Sequence, residues 1–460
     1  MTMRSTAVAS LVLAVAAVGA CGSNTDDEPG AAGAAGSSAS AGAGNSAGGA
    51  GAGHGGSGGL PAAGGTVGGA GTSGGNANGH AGSGGSPNAG APGGGAAGAG
   101  DESGVAGEDG VGLGGQAGAA SEGPQEYAYL TTFLGGIFAL KLNGVSGKPD
   151  LLSGSPIDVG AQIYAVGVGK GQRLLYVLDF LHKLDTYVIN ADGTLPTKAA
   201  FSTPIDGGPV TLALDPKGRF AYVGTRTDDN KTFIDIFKID ATTGALTSAG
   251  DPLQVGGAPA YVALDPTGNF AYVTQSTGVG LFGYRVDQNS GLLSPIDTSP
   301  YDTTLVFGGA IAFEPNGKFL FTAGGGLRAF GIDAASGKLQ QVEGSPFSTD
   351  VSSDPTATNI ALDPSGKFLY ATQFLGTQRV FGFSVAPDSG KLLPVPGPPT
   401  PVSEPYSVAV DPSGRFVYVG QDDGAVSAFS INRSNGTLNK VEGSPFPHGG
   451  LQPEFAFTVP

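Results

Sequence analysis

The chain has 460 residues, 13% of them charged and 40% hydrophobic, with a formal net charge of −16, one cysteine and no tryptophan. An acidic chain without a basic stripe lacks the electrostatic footprint that nucleic-acid binding needs, and anionic lipid heads repel it. A single cysteine excludes an intrachain disulfide and any cysteine-based zinc or redox centre.

Residues 1–20 have the layout of a secretory leader. Met1–Arg4 carries a positive charge, Ala7–Val18 is apolar but too short to span a bilayer, and Val18-Gly19-Ala20-Cys21 follows. Those last four residues resemble the bacterial lipobox, which implies cleavage before Cys21 and its acylation. Several acyl chains anchor a protein stably where one does not. Gly22 follows the cysteine, where the resembled sorting rule uses Asp to retain a lipoprotein in the inner membrane. The expected location is therefore the cell envelope, lipid-anchored at the outer membrane.

From residue 21 to 124 the chain is almost entirely Gly, Ala, Ser and Asn. So few large apolar side chains cannot offset the entropy of ordering, and the expectation is a disordered tether. A Gly-rich coil of roughly 100 residues spans about 50–60 Å r.m.s.. Past Cys21 the tract holds eight carboxylates and no Lys or Arg; with Arg4 in the leader, this leaves −9 on residues 125–460.

Residues 125–460 are built from one unit repeated seven times. Its clearest copies are PVTLALDPKGRFAYVG (Pro209–Gly224), PAYVALDPTGNFAYVT (Pro259–Thr274) and PYSVAVDPSGRFVYVG (Pro405–Gly420). The aromatic near the end of each copy falls at Tyr129, Tyr176, Tyr222, Tyr272, Phe321, Tyr370 and Tyr418, at intervals of 47, 46, 50, 49, 49 and 48 residues. A fixed period in this range, built from short strands and turns, is the signature of a β-propeller blade. In each unit a short apolar strand is followed by an Asp-Pro-x-Gly turn, in which Asp accepts backbone N–H groups, Pro presets φ and Gly takes positive φ. The second strand alternates, a third follows, and a second turn recurs with Gly244, Gly291, Gly337, Gly390 and Gly436 at the same point. A short fourth strand leads into connections such as Gly344-Ser345-Pro346-Phe347. The fold expected is all-β, a seven-bladed propeller of four-stranded antiparallel blades. Glu126–Phe133 reads as a second strand without a first, and residues 453–460 read as a first strand without a second. The C-terminus is thus expected to complete the blade that the N-terminus opens, leaving no exposed sheet edge.

The pattern P-x-x-[VI]-A-[LV]-D-P-x-G-[RK]-F-x-Y-V, followed by F-x-I-D-x-x-[ST]-G-x-L, closely resembles the seven-bladed lactonase family, which includes bacterial 6-phosphogluconolactonase and fungal carboxymuconate cyclase. The resemblance covers nearly all of residues 127–460. WD40 propellers, with their Trp-Asp signature, are excluded because the chain has no Trp. The resemblance implies an Arg-His pair entering one inner strand and a Glu after a Y-V-x-N segment, groups suited to binding a lactone's carboxylate or phosphate and moving protons. The matching pairs here are Val210-Thr211, Ala260-Tyr261, Gly309-Ala310, Thr358-Asn359 and Tyr406-Ser407, and the positions matching the Glu are Arg226, Ser276, Gly325, Phe374 and Asp422. Only Asp422 is a carboxylate, so the family's catalytic pattern is not found.

The same resemblance places ligands over the central channel, where loops between second and third strands meet the connections between blades. Those loops hold Asp179 and His182, Arg226 with Asp228 and Asp229, Gln275, Gln373, Gln421 with Asp422, and His448. His182, Arg226 and His448 are the candidate acid–base groups, because histidine titrates near neutral pH. Asp179, Asp228, Gln275, Gln373, Gln421 and Asp422 are the candidate ligand-binding residues. Asp228-Asp229-Asn230 lacks the spacing and bidentate Glu of a calcium loop, so no metal is expected, and no Gly run suggests a nucleotide cofactor. The reading is a monomeric, envelope-tethered binding module. Its partners are an unidentified envelope protein or glycan, and the lipid bilayer through Cys21. A divergent lactone hydrolase or a carboxymuconate cyclase-like isomerase is the alternative.

Overall fold

The computed structural model describes residues 125–460 except 170, 276–279, 298, 302–308, 325, 348–356, 374–377, 448–449 and 459–460. The leader, Cys21, the tether and His448 lie outside the described residues. All regular elements among those residues are strands, and they form seven antiparallel sheets. We number these blades one to seven in chain order. Blade one holds residues 126–158, and the later blades begin at Ile163, Gly208, Pro259, Ile311, Ala357 and Pro405. The first strands of neighbouring blades touch in sequence, and the strand Glu454–Thr458 touches those of blades two and seven. The ring is closed.

Closure follows the expected route. Glu454–Thr458 pairs antiparallel with Glu126–Thr131, from Tyr127 opposite Thr458 to Thr131 opposite Glu454, and so supplies blade one with its innermost strand. Phe455 and Phe457 pack against the blade-seven side and Ala456 against the blade-two side, which is the alternation a strand between two sheets requires.

The repeated letters have one shared role. In each second strand the later aromatic is buried at 1% exposure or less, from Tyr129 to Tyr418. Six of the seven are tyrosines, and each hydroxyl donates to the carbonyl of the turn glycine in the next blade. Tyr129 reaches Gly193 at 2.9 Å, Tyr222 reaches Gly291 at 3.0 Å and Tyr272 reaches Gly337 at 2.7 Å. Tyr176, Tyr370 and Tyr418 do the same to Gly244, Gly436 and Gly147, the last joining blade seven back to blade one. Phe321 has no hydroxyl and is the exception. The glycine is required twice over: at Gly337 φ is +74°, and a Cβ would lie 2.4 Å from Cδ1 of Phe270, the aromatic two residues before Tyr272. The F-x-Y letters of one blade and the Gly of the next are thus one contact.

The Asp-Pro-x-Gly turns behave as expected. Asp265 Oδ1 accepts from the amides of Asn269 and Phe270 at 2.9 and 2.7 Å, and Asp411 Oδ1 does likewise for Arg415 and Phe416 at 2.8 Å. The Ser-Pro connections do more than was expected. Four carry a cis Ser-Pro bond, and in these the serine hydroxyl accepts a third-strand amide, as from Ala139 to Ser155 at 3.0 Å and from Ala428 to Ser444 at 3.0 Å. In blades one, three, six and seven the connection, after Ser-Pro only in one and seven, adds a short fifth strand beside the third, beyond the four expected.

Candidate functional site

Each blade offers the channel the start of its first strand, and there the strands are irregular. The register shifts between Ile163 and Ala165, Pro259 and Tyr261, Ala357 and Asn359, and Pro405 and Ser407. A bulge of this kind re-aims a side chain without breaking the sheet. The residues at and after it are free to differ between blades, because the ring does not need them.

The closing strand supplies the residue that matters most. A Cβ on Gly224 would meet Pro259 of the next blade at 2.7 Å, and one on Gly420 would meet Pro453 at 2.5 Å, so Pro453 occupies the place of Pro259. Glu454 pairs with Thr131 as Tyr261 pairs with Thr274 and Ser407 with Gly420, which is the position of the histidine in the resembled Arg-His pair, and the closing strand lacks the bulge residue that Ala260 and Tyr406 supply. Its carboxyl makes no hydrogen bond or ion pair among the described residues, and burial alone pushes it up to about 7. The charge of Glu454, after burial, also raises the phenols of Tyr261 and Tyr406, and Tyr406 in turn raises Tyr261. Tyr261 belongs to blade four, three sectors from both blade one and blade seven. Blade four lies across the ring from the seam of blades seven and one, so these three groups line the channel from opposite sides.

Asp422 borders this cluster. Its carboxyl accepts the amide of Gln452 at 3.1 Å, fixing the chain as it enters the closing strand, and burial raises its pKa, with the charge of Asp423 adding to this. It also raises Tyr406. Of the described residues picked from the sequence for the mouth, Asp422 is one that borders Tyr406.

The others have different positions. Asp179, Gln275, Gln373 and Gln421 end their second strands and are 4% exposed or less, not open on a loop. Asp179 accepts the amide of Lys183 at 3.0 Å across its own hairpin, and Gln421 Oε1 accepts the Ser427 hydroxyl at 2.6 Å. Among the described residues the Gln275 amide nitrogen is buried without a partner. His182 is exposed, adopts φ +61° in a hairpin turn, and its carbonyl accepts the amide of Ile205. Arg226 folds over its own hairpin, donating to Asn230 Oδ1 through Nε at 3.1 Å and Nη2 at 2.5 Å. Asp228 is exposed at that hairpin's tip, beside an Asp229–Lys231 ion pair of 2.6 Å. His182, Arg226 and Asp228 thus belong to the hairpins of their own blades. Among the described residues no three His, Cys, Asp or Glu side chains are grouped to hold a metal ion.

Glu454 is not among the residues the sequence pattern singles out, because the final strand reads only as a clasp. The signal was present: aligning Pro453 with Pro209, Pro259 and Pro405 puts a carboxylate at the position that pattern leaves variable.

Comparison with known proteins agrees with this architecture. The family model described as "Lactonase, 7-bladed beta-propeller" matches residues 220–343 and 310–450, together half of the chain. Similar solved structures include a candidate 6-phosphogluconolactonase of Bacteroides uniformis ATCC 8492, 19% identical with a TM-score of 0.60, covering 72% of this chain and 99% of that one. The Pseudomonas aeruginosa periplasmic gluconolactonase PpgL is 18% identical with a TM-score of 0.59, covering 73% of this chain and 100% of that one. Identities this low speak to the fold alone. No curated protein matches the chain. With the repeat pattern, the closed ring and the family match in agreement, the chain belongs to the seven-bladed β-propeller lactonase family.

Proposed function

We propose that the protein is a recognition module of the bacterial cell envelope that takes its ligand at the channel mouth. The observation that carries this reading is the makeup of the channel lining: one carboxyl, Glu454, with the phenols of Tyr261 and Tyr406, and among the described residues no cation offsetting the carboxyl. A desolvated, un-neutralised carboxyl repels phosphate and carboxylate, so anionic lactones are poor ligands. Phenols and a carboxyl that both donates and accepts near neutral pH suit hydroxyl-rich or cationic groups, such as those of an envelope glycan or protein. The lipobox-like leader, Gly22 and the 21–124 tether support anchoring through acylated Cys21 at the outer membrane. Calorimetric titration of the full chain with envelope saccharides and peptides tests this. Saturable binding that Glu454→Gln weakens is the expected result.

A second reading, lactone hydrolysis, is favoured by one observation. A carboxyl pushed up to about 7 in a channel is poised as a general base for water. Of the activities named for similar structures, that on gluconolactone involves no phosphate and fits an un-neutralised carboxyl better than that on 6-phosphogluconolactone. Gluconolactone turnover by the full chain, abolished by Glu454→Gln, would replace the binding-only reading. Turnover abolished instead by His182→Ala or Arg226→Ala would move the chemistry to the loops.

A further inference from the structure

We infer that an exposed arc on the rim, running over blades seven, one and two, docks a basic amphipathic segment of a partner polypeptide. Apolar side chains of the segment would cover Leu451, Leu134, Phe180 and Leu181, and its basic ones would meet the carboxylates between them. The surface lies outside the channel and does not depend on Glu454. Those four side chains are 45%, 66%, 49% and 57% exposed. Backbone bonds hold their loops side by side. Phe133, next to Leu134, donates its amide to the Leu451 carbonyl at 2.9 Å. Val159 donates to the Gly135 carbonyl at 3.0 Å, and Phe180 donates to the Gln162 carbonyl at 2.8 Å. The arc is therefore continuous from the approach to the closing strand, through the connection at 158–162, to the hairpin of blade two. Phe133-Leu134 and Phe180-Leu181 hold one place in the repeat, directly beyond the second strand, where blades three and seven carry Arg226-Thr227 and Asp422-Asp423. The ring does not need apolar residues there. Gathered in the open, they mark an interaction surface.

Charge decides the occupant. Each apolar tip has a carboxylate beside it. Asp158 pairs with Gly136, in the hairpin of Leu134. Asp206 follows Ile205, whose amide donates to the His182 carbonyl at 2.8 Å, in the hairpin of Phe180 and Leu181. Asp423 follows Asp422, which accepts the amide of Gln452, the neighbour of Leu451, at 3.1 Å. Asp158, Asp206 and Asp423 are all exposed. Lys183 is exposed in the same arc, and Arg226 at its edge is held to Asn230. The carboxylates outweigh the cations here, so anionic lipid heads are repelled. The tether, with eight carboxylates and no Lys or Arg past Cys21, is repelled as well, and a second copy docking by the same arc would set like charges against each other. A basic segment is steered in by the carboxylates while its apolar face covers the leucines and Phe180.

Fluorescence anisotropy with the full chain and three labelled peptides tests the inference: an amphipathic helix of Leu and Lys, its Leu and Glu counterpart, and a Gly and Lys peptide of the same charge as the first. The Leu and Lys peptide should bind about tenfold or more tightly than either control. Leu134→Ser with Phe180→Ser, both on exposed side chains, should remove its advantage over the Gly and Lys peptide. Asp158→Asn with Asp206→Asn should weaken it and flatten its salt dependence, whereas Asp388→Asn, exposed in a turn at the opposite end of the ring, should not. Equal affinity for the Leu and Lys peptide and either control overturns the inference, as does an equal loss in Asp388→Asn. Binding to phosphatidylcholine vesicles without peptide binding, lost in the Leu134→Ser and Phe180→Ser variant, would make the arc a lipid contact. A dimer in sedimentation that the same variant abolishes would give the arc to a second copy. Either result overturns the inference, and neither touches the channel reading, which Glu454→Gln tests separately.

Discussion

The second strands and the channel are built under opposite rules. Along the second strands the same contact recurs from blade to blade: an aromatic under the next turn glycine and a tyrosine hydroxyl on its carbonyl. At the channel the bulge positions hold Tyr164, Val210, Ala260 and Tyr406, aromatic in some blades and aliphatic in others, while Glu454 pairs with Thr131 without a bulge. Repetition follows from geometry, since seven identical sectors close a ring only if each meets the next in the same way. Where the ring makes no demand, the sequence varies, and there a family can acquire or lose a reaction. Residues that break the repeat are therefore the ones to examine for function.

The sharpest way to break the repeated region is to remove its last member. Deleting residues 452–460 takes away the innermost strand of blade one and exposes the edge of Glu126–Thr131. Loss of solubility, or a fall in Tm larger than for any point substitution, is expected in a thermal scan. Gly337→Ala comes next. The left-handed φ and the 2.4 Å approach to Phe270 predict about 3 kcal/mol or more of lost stability, read from denaturant unfolding.

Between these large effects and the smaller ones lies a pH effect at the closure. Glu454 and Glu126 are both pushed up to about 7, each foremost by burial, and Glu126 also by its neighbour Asp411. Their ordinary value is 4.5, so between pH 4.5 and 7 the folded chain holds protons that the unfolded chain has released. This contribution to stability is complete below the ordinary value and is lost as pH rises through 7. Tm should be higher at pH 5 than at pH 8, and Glu454→Gln and Glu126→Gln should each flatten part of that slope. The smallest effect sharpens the comparison in the other direction. Phe321→Tyr restores the missing hydroxyl opposite Gly390 and should add about 1 kcal/mol, while Tyr272→Phe should lose about as much.

The ring was legible in the sequence because its letters encode turns and contacts whose residue types are dictated: Gly for positive φ, Asp for the amides of the turn, Tyr for a buried carbonyl. The clasp was legible for the same reason, as a first strand missing at one end and present at the other. The fifth strand was not, because the connections that form it share no motif: Ile157–Asp158 and Phe446–Pro447 follow Ser-Pro, whereas Leu253–Val255 and Thr400–Pro401 do not. The site was legible only in part. Asp422 was found from its place after Tyr418-Val419-Gly420-Gln421, but Asp179, Gln275, Gln373 and Gln421 were taken for loop residues although the strand pairing extends through them. Glu454, Tyr261 and Tyr406 are far apart in sequence and share the channel only because blade four faces the seam between blades seven and one. A single blade's letters carry no trace of that convergence.

Everything proposed for the channel depends on the Glu454 carboxyl being desolvated and without a counter-charge. A carbon-13 NMR titration of the glutamate carboxyls in the full chain, with Glu454→Gln assigning the resonance, measures this directly. A midpoint near 7 is the predicted result. A midpoint near 4.5, the value of a solvated glutamate, would contradict it.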